Sequence, residues 1–340
     1  MYLRTISDKI LEEVNFDSQN IKIIQCIGVH NGGSWLEYCI KSIYEKVDKI
    51  LIVEGAVINR PDATDKGHST DNTLEIIEKY PDPANKIELI TIDRYWASLE
   101  EQKQTFLDRI EQLNKADVHP NLRYFLLIND CDEIYQPEDI GRLRKAIELR
   151  PWASEFMPIF LHFYKDFSHI RRPSPSWNPI HQRFFRWQPG MRYATHPVAT
   201  DSDGVDTCLS QQYQPFRFWI PEFYIWHYGH VTTKEEYAKK IKFYDKELAK
   251  FGASAEHKQK YEEFVNDTEP EGSILKYDGR HPKVMLEHPL YNYKYELFGN
   301  PKQFANWQDI EEYTTRTMCN IYSWDFGRPR DCQFINVLNV

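Results

Sequence analysis

Hydrophobic residues along this chain fall in short continuous runs, and these alternate with stretches of helical spacing. Residues 21–29 (IKIIQCIGV) are apolar and β-branched over the length of a strand, and the run stops at His30-Asn31-Gly32-Gly33. Ser34 then offers a helix cap, with Leu36, Cys39, Ile40, Ile43 and Val47 recurring on one face. A second strand over 50–55 (ILIVEG) runs into a loop rich in Pro, Asp and Gly. The stretch 69–80 (STDNTLEIIEKY) opens on capping residues and predicts a short helix. A third strand is expected over 86–92, then a helix over 99–114 with Leu99, Phe106, Leu107, Ile110 and Leu113 inward. The fourth strand is 123–128 (RYFLLI), and 137–149 reads as a helix with Pro in its first turn.

Short buried strands alternating with helices imply a mainly parallel sheet covered on both faces. Such sheets bind ligands at the carboxyl ends of their strands, and the polar residues of this half collect there. The strand ends carry His30-Asn31, Glu54, Asp93 and Asn129-Asp130. After residue 150 the pattern changes to aromatic strands, 155–164, 183–187 and 218–230, separated by Pro/Ser/Gly loops. These are expected as antiparallel additions to the parallel half, followed by a helix over 234–251 and a loop-rich remainder. The divisions read as an arm (1–20), a first half (21–150), a second half (151–250) and a C-terminal extension (251–340).

Composition narrows the function. A net charge of −9 argues against a protein that coats nucleic acid, because phosphate contacts need clustered cations. Aromatics reach 14%, which serves an aromatic core and stacking platforms for flat or sugar ligands equally well. The six cysteines are scattered without a C-x-x-C pair and read as reduced thiols. No stretch is long and apolar enough for a transmembrane span, and the first twenty residues are too polar for a secretory leader. The expectation is a cytoplasmic globular protein. The first strand is followed by H-N-G-G rather than G-x-G-x-x-G, and no G-x-x-x-x-G-K-[ST] occurs, so neither a dinucleotide fingerprint nor a P-loop is present.

The sharpest local feature is N-D-C-D-E at 129–133, directly after the fourth strand. Two carboxylates flanking one residue can reach a single hard cation such as Mg²⁺ or Mn²⁺, directly or through water. A cation there would bridge a diphosphate and neutralise its charge as a sugar departs. The alternative is a solvated acidic loop. The position at the end of an apolar strand favours the cation, because buried carboxylates need a counter-charge.

Four segments together resemble the family 2-type glycosyltransferases with the GT-A fold. They are IGVHNGGSWLEYCIKSI (27–43), ILIVEGA (50–56), STDNTLEII (69–77) and FLLINDCDEIYQPEDI (125–140). The resemblance is good over about 21–150 and looser over 180–245. It departs at Glu54, where the family usually has Asp, and in a longer loop over 57–68. The fold it implies is α/β: a Rossmann-like sheet with added antiparallel strands and a C-terminal helical and loop extension.

What the resemblance implies further is a nucleoside-diphosphate sugar, a UDP- or GDP-sugar, lying across the strand ends. His30, Asn31 and Glu54 would contact base or ribose, and Asp71 would do the same or only cap its helix. Asp130 would face ribose, sugar or metal, and Asp132 would ligate Mn²⁺ or Mg²⁺. A late histidine often completes that shell, which names His227 first and His230 second. Relatives often show His-Glu where this chain has His196-Pro197-Val198, so the usual base is missing. Asp166, just after an apolar strand, is the named catalytic base, with Asp201, Asp203 and Glu222 as alternatives. Lys239 or Lys242 would neutralise diphosphate, Trp177, Trp187, Trp219 and Trp226 would stack on an acceptor saccharide, and 276–282 would line the acceptor cleft. The implied reaction is inverting, metal-dependent transfer of a sugar to an acceptor hydroxyl of a glycan or glycoconjugate. The other readings are a nucleotidyltransferase and a sugar- or nucleotide-binding module without chemistry.

Overall fold

Continuous apolar runs mark strands buried on both faces, and the four runs of the first half lie side by side in parallel. They are β1 (Ile21–Val29), β2 (Lys49–Glu54), β3 (Ile87–Ile90) and β4 (Arg123–Asp130). In the computed structural model, which describes residues 20–295 apart from 201–216, 241–253 and shorter breaks, β1 pairs with β2 on one side and β4 on the other. Beyond 295 only residues 305, 310, 313, 333 and 334 are described. The order β3-β2-β1-β4 reverses its direction of travel at β1. An open α/β sheet forms its crevice at such a reversal, here over the carboxyl ends of β1 and β4.

Alternate residues of each strand face opposite layers, and both layers are apolar. On one side Ile23, Ile27, Ile52, Phe125 and Leu127 pack on Leu36 and Ile40 of α1 (Leu36–Ile43). On the other, Ile24, Cys26, Leu51, Val53 and Leu126 pack on Phe106, Leu107 and Ile110. Each such fully buried aliphatic or aromatic side chain contributes about 1.5–3 kcal/mol. α1 starts without the expected Ser34 cap: Gly32 O accepts from both Trp35 N and Leu36 N, so a backbone turn begins it. α2 (Thr73–Lys79) starts four residues later than its capping residues suggest, because Ser69 and Asp71 are hydrogen-bonded elsewhere. α3 (Leu99–Ala116) follows the expected pattern, with Ser98 Oγ accepting from Glu101 N.

The short strand β5 (Glu133–Ile134) and helix α4 (Pro137–Leu149) lead into the second half. β6 (Glu155–Tyr164) and β7 (Asp166–Arg171) form a hairpin, and β8 (Phe184–Arg186) lies antiparallel to both β4 and β6, joining the halves into one sheet. β9 (Arg192–Thr195) and β10 (Val198–Thr200) form a separate pair. β11 (Arg217–His230) departs from expectation: it runs parallel to β6, with His227 opposite His162, and antiparallel to β5. Parallel pairing needs only a crossover of about a dozen residues, and the chain between Tyr164 and Arg217 is far longer. The sheet is therefore mixed α/β.

A helix follows over 234–240 (α5), and then come α6 (Ser254–Asn266) and β12 (Ile274–Lys276). Phe264 of α6 stacks on Tyr237 and meets Tyr164 edge-on, and the buried Lys165 ammonium pairs with Asp267 and Glu269. Cys26, Cys39 and Cys131 are free thiols, while Cys208, Cys319 and Cys332 lie outside the described residues. Among the described residues no helix is long and apolar enough to cross a membrane.

Candidate functional site

β1 delivers His30 and Asn31 to the crevice. Neither ring nitrogen of His30 has a hydrogen-bond partner, and burial, then the nearby Arg60, lower its pKa to about 4. It stands as a neutral imidazole. Asn31 adopts a left-handed backbone (φ 50°), which Asn tolerates better than most residues. Its amide donates to Asp62 O (2.7 Å) and accepts from Thr70 N (2.8 Å). Asp71 accepts from Gly33 N (2.8 Å) and Thr73 N (3.0 Å), and Gly32 N donates to Thr73 Oγ1 (2.8 Å). Asn31 and Asp71 thus staple the segment 62–73 to the end of β1. Asp71 thereby joins its own turn to the end of β1, while Asn72, at the helix N-cap, makes no side-chain cap bond.

Glu54 is fully buried and already engaged. One oxygen accepts from Ser69 N (2.7 Å), and the other meets His68 Nδ1 (3.0 Å). His68 Nε2 reaches Asp93 (3.2 Å), so an imidazole bridges two strand-end carboxylates. The hydrogen bond to Glu54, above all, raises the His68 pKa. Sequence reading missed His68, although it closes the loop over 57–68 that sets the chain apart from its resemblance. A separate surface cleft lined by Asp48, Lys86 and Arg144 opens at the amino ends of the strands, remote from these carboxyl ends.

The acidic turn after β4 is the centre of the site. Asp130 keeps 38% of its side chain exposed and meets the buried Lys103 (3.2 Å) and Arg183 (4.0 Å). Asp132 is tied in by its backbone, whose carbonyl accepts from Tyr228 N (2.9 Å) in the β5–β11 pairing. Its Oδ1 is buried with no hydrogen-bond partner, and burial raises its pKa above the usual carboxylate value. His227 Nε2 stands 3.7 Å from that oxygen, and Lys240 Nζ is 3.7 Å from Oδ2. Burial, then Lys240, lowers the His227 pKa to about 3, which leaves a neutral imidazole with a lone pair to give. Two ligands of one Mg²⁺-sized ion stand between about 3 Å apart at right angles and about 4 Å apart in opposition. Asp132 and His227 fit such an ion, and a buried orphan oxygen is what it would satisfy. Sequence reading named Lys239 and Lys242 on this helix. Lys239 is exposed and near Asp62, Lys242 lies outside the described residues, and Lys240 is the one at Asp132. Its signal was spacing, since it lies one turn beyond the inward-facing Tyr237.

Gly229 makes room for this cluster. A Cβ there would strike Asp132 Oδ2 and come within 2.7 Å of His227 Nε2 and 2.9 Å of Lys240 Nζ. Gly229→Ala is expected to cost about 1–3 kcal/mol of stability through overpacking. It should also displace the His227 ring. Thermal denaturation checks the first effect, and the histidine resonances in NMR spectra check the second. An unchanged His227 signal would refute the steric account.

Behind the acidic turn, Arg183 Nε and Nη2 form a forked pair with the buried carboxylate of Glu133 (2.7–3.1 Å). Burial works against the Arg183 charge, but attraction to Glu133 outweighs it and raises the guanidinium pKa. The pair fixes the turn carrying Asp130 and Asp132.

Asp166 takes a different place from that expected of a base. It is fully buried, and it accepts from Ser168 N (2.7 Å), His169 Nδ1 (2.8 Å) and Tyr295 N (2.9 Å). Burial pushes its pKa up, and these hydrogen bonds, that of His169 foremost, overcome it and hold the pKa below the ordinary value. A carboxylate held ionised by three donors ties loops together and is poorly placed to accept a substrate proton. The stability it provides is present above its unfolded pKa of about 3.9 and is lost as pH falls through the depressed native value. Asp166→Asn should cost about 1–3 kcal/mol at pH 7, because the amide NH₂ faces a donor. That gap should narrow at strongly acid pH, and urea denaturation at both pH values measures it.

Of the alternatives, Glu222 lies on β11, its side chain outside the described residues. Asp201, Asp203 and His196 also lie outside them. Trp177, Trp187 and Trp226 are buried in packing, and the Trp219 side chain is not among the described ones. In 276–282, Tyr277 packs edge-on to Phe163, and His281 hydrogen-bonds Tyr228 (2.7 Å) behind β11.

No family model and no curated protein matches this chain. Among solved structures it is similar to S. aureus TarS 1–349, at 14% identity over 72% of this chain and 71% of that one. The TM-score is 0.37.

Proposed function

We propose that this protein is a metal-dependent glycosyltransferase. It would transfer a sugar, with inversion, from a nucleoside-diphosphate donor to an acceptor hydroxyl of a saccharide or glycoconjugate. One observation carries the reading: the buried, unpartnered Oδ1 of Asp132, facing His227 at 3.7 Å over the crevice where the strand order reverses. The four sequence segments that resemble family 2-type glycosyltransferases support it.

Asp132 and His227 would hold the divalent cation, Mn²⁺ in preference to Mg²⁺, and the cation's role when bound would be to neutralise the diphosphate leaving group. Lys240, close to Asp132, adds positive charge on the same side. His30, whose buried ring nitrogens have no hydrogen-bond partner, would hydrogen-bond the nucleoside. Asp130, on the exposed edge of the turn, faces ribose or sugar. Asn31, Glu54 and Asp71 shape that floor by stapling the segment 62–73 to it. The base that takes the acceptor proton belongs to an acid of the second half other than Asp166.

Incubation with UDP-, GDP- and dTDP-sugars and Mn²⁺ tests this. Slow release of nucleoside diphosphate from one donor is the expected result. Pyrophosphate release would replace the reading with nucleotidyl transfer. Binding without turnover would favour a module without chemistry, a reading that the engagement of Asp166 also favours.

A further inference from the structure

Three histidines meet beside the acidic turn, and the proposed function uses only one of them. His162 on β6 and His227 and His230 on β11 each offer a ring nitrogen, and the three nitrogens lie within 4.8 Å of one another. Parallel pairing sets His162 opposite His227, and a shift of register next to it turns His230 toward the same point. The His162 and His227 rings stand at 89° with their Nδ1 atoms 2.9 Å apart, and His230 meets His227 at 85°. The 2.9 Å contact between His162 Nδ1 and His227 Nδ1 is a hydrogen bond while one ring carries its proton there, and once that proton sits on the other ring nitrogen both atoms are available to a cation. His230 Nδ1 is buried without a partner, an arrangement that costs free energy unless something accepts its lone pair or proton. Trp177 lies edge-on over both His162 and His230 and shields them from water. On its other edge His227 presents Nε2 to Asp132 at 3.7 Å.

We propose that His162, His227 and His230 form a three-imidazole site for a borderline first-row transition ion such as Zn²⁺ or Co²⁺. The site rests on the reading that a divalent cation serves this crevice, and it names the chemical class of that cation. Imidazole nitrogens suit Zn²⁺, Co²⁺ and, more weakly, Mn²⁺, whereas Mg²⁺ demands oxygen ligands. Three protein ligands leave a coordination position open to a substrate oxygen. Binding through both facing Nδ1 atoms needs one ring to carry its proton on Nε2 instead, and no proton leaves the protein.

The full-length protein, stripped with chelator and dialysed, is titrated with Zn²⁺, Co²⁺ and Mg²⁺ by calorimetry. One Zn²⁺ per chain should bind at least about a hundredfold more tightly than Mg²⁺. The Co²⁺ form should show three paramagnetically shifted, solvent-exchangeable imidazole signals, a readout that needs no variant. His162→Phe and His230→Phe, which keep ring volume, should each weaken Zn²⁺ binding about a hundredfold. Fewer than three shifted signals, or Zn²⁺ bound no better than Mg²⁺, overturns the site. UDP binding with Mn²⁺ separates the two readings. If both His→Phe variants keep metal affinity and cation-dependent UDP binding while Asp132→Asn loses it, the three-imidazole site fails and the transferase reading stands. If Zn²⁺ binds through three imidazoles and no nucleotide binds with any cation, the site stands and the transferase reading fails.

Discussion

Asp132→Asn should weaken cation-dependent nucleotide binding by at least about a hundredfold and leave the melting temperature unchanged or slightly raised. Carboxylates that merely orient a metal ligand are worth about tenfold to a hundredfold, and a direct ligand is worth more. The substitution keeps the side-chain volume, so no cavity opens, and the Tyr228 N–H still has the Asp132 backbone carbonyl to bond. Burial already disfavours the ionised form of this side chain, so replacing it with a neutral amide relieves a cost within the fold. Lost binding with retained stability marks a group kept for a ligand, whereas a structural carboxylate would lose both. Calorimetry with UDP and Mn²⁺, together with thermal denaturation of the same preparation, reads both quantities. Unchanged nucleotide affinity would remove Asp132 from the site.

The second large effect is on stability. Arg183→Ala should destabilise the protein by about 3–5 kcal/mol, because it leaves the Glu133 carboxylate buried without its counter-charge. The forked geometry makes lysine a poor substitute, since one ammonium cannot reproduce two parallel N–H bonds. Replacing both partners with apolar residues of similar size, Arg183→Met with Glu133→Leu, should recover much of the loss. Urea denaturation of the two single variants and the double variant gives the coupling. An Arg183→Ala loss below about 1 kcal/mol would mean that solvent reaches the pair and screens it. The pair anchors the turn that carries Asp130 and Asp132, so the alanine variant should also bind nucleotide more weakly.

Much of the first half is legible in the sequence. Strand and helix spacing are local properties, and the apolar runs at 21–29, 50–55 and 123–128 became strands within a residue or two. The expected strand 86–92 shrank to Ile87–Ile90. The helix expected from Ser69 lost its first turn, because residues 69–71 hydrogen-bond to partners distant in sequence. The same competition engages the polar residues at the strand ends. Asn31, Glu54 and Asp71 have the composition of ligand-binding groups, and their hydrogen bonds go to segments about 14 to 39 positions away or to their own turn.

The sequence by itself determined an α/β chain with polar strand ends and an N-D-C-D-E turn closing an apolar strand. These follow from periodicity and from the cost of burying a carboxylate, which operate over a few neighbouring residues. Tertiary structure alone decided the direction of β11, since alternation records which residues are buried and says nothing of strand polarity. It also decided which titratable groups face one another: His68 between Glu54 and Asp93, Arg183 on Glu133, and Lys165 on Asp267. The meeting of Asp132 with His227, and of His227 with His162 and His230, depends on that same pairing of β11 with β5 and β6. Such contacts join residues remote in the chain, and their chemistry exists only once the sheet has closed.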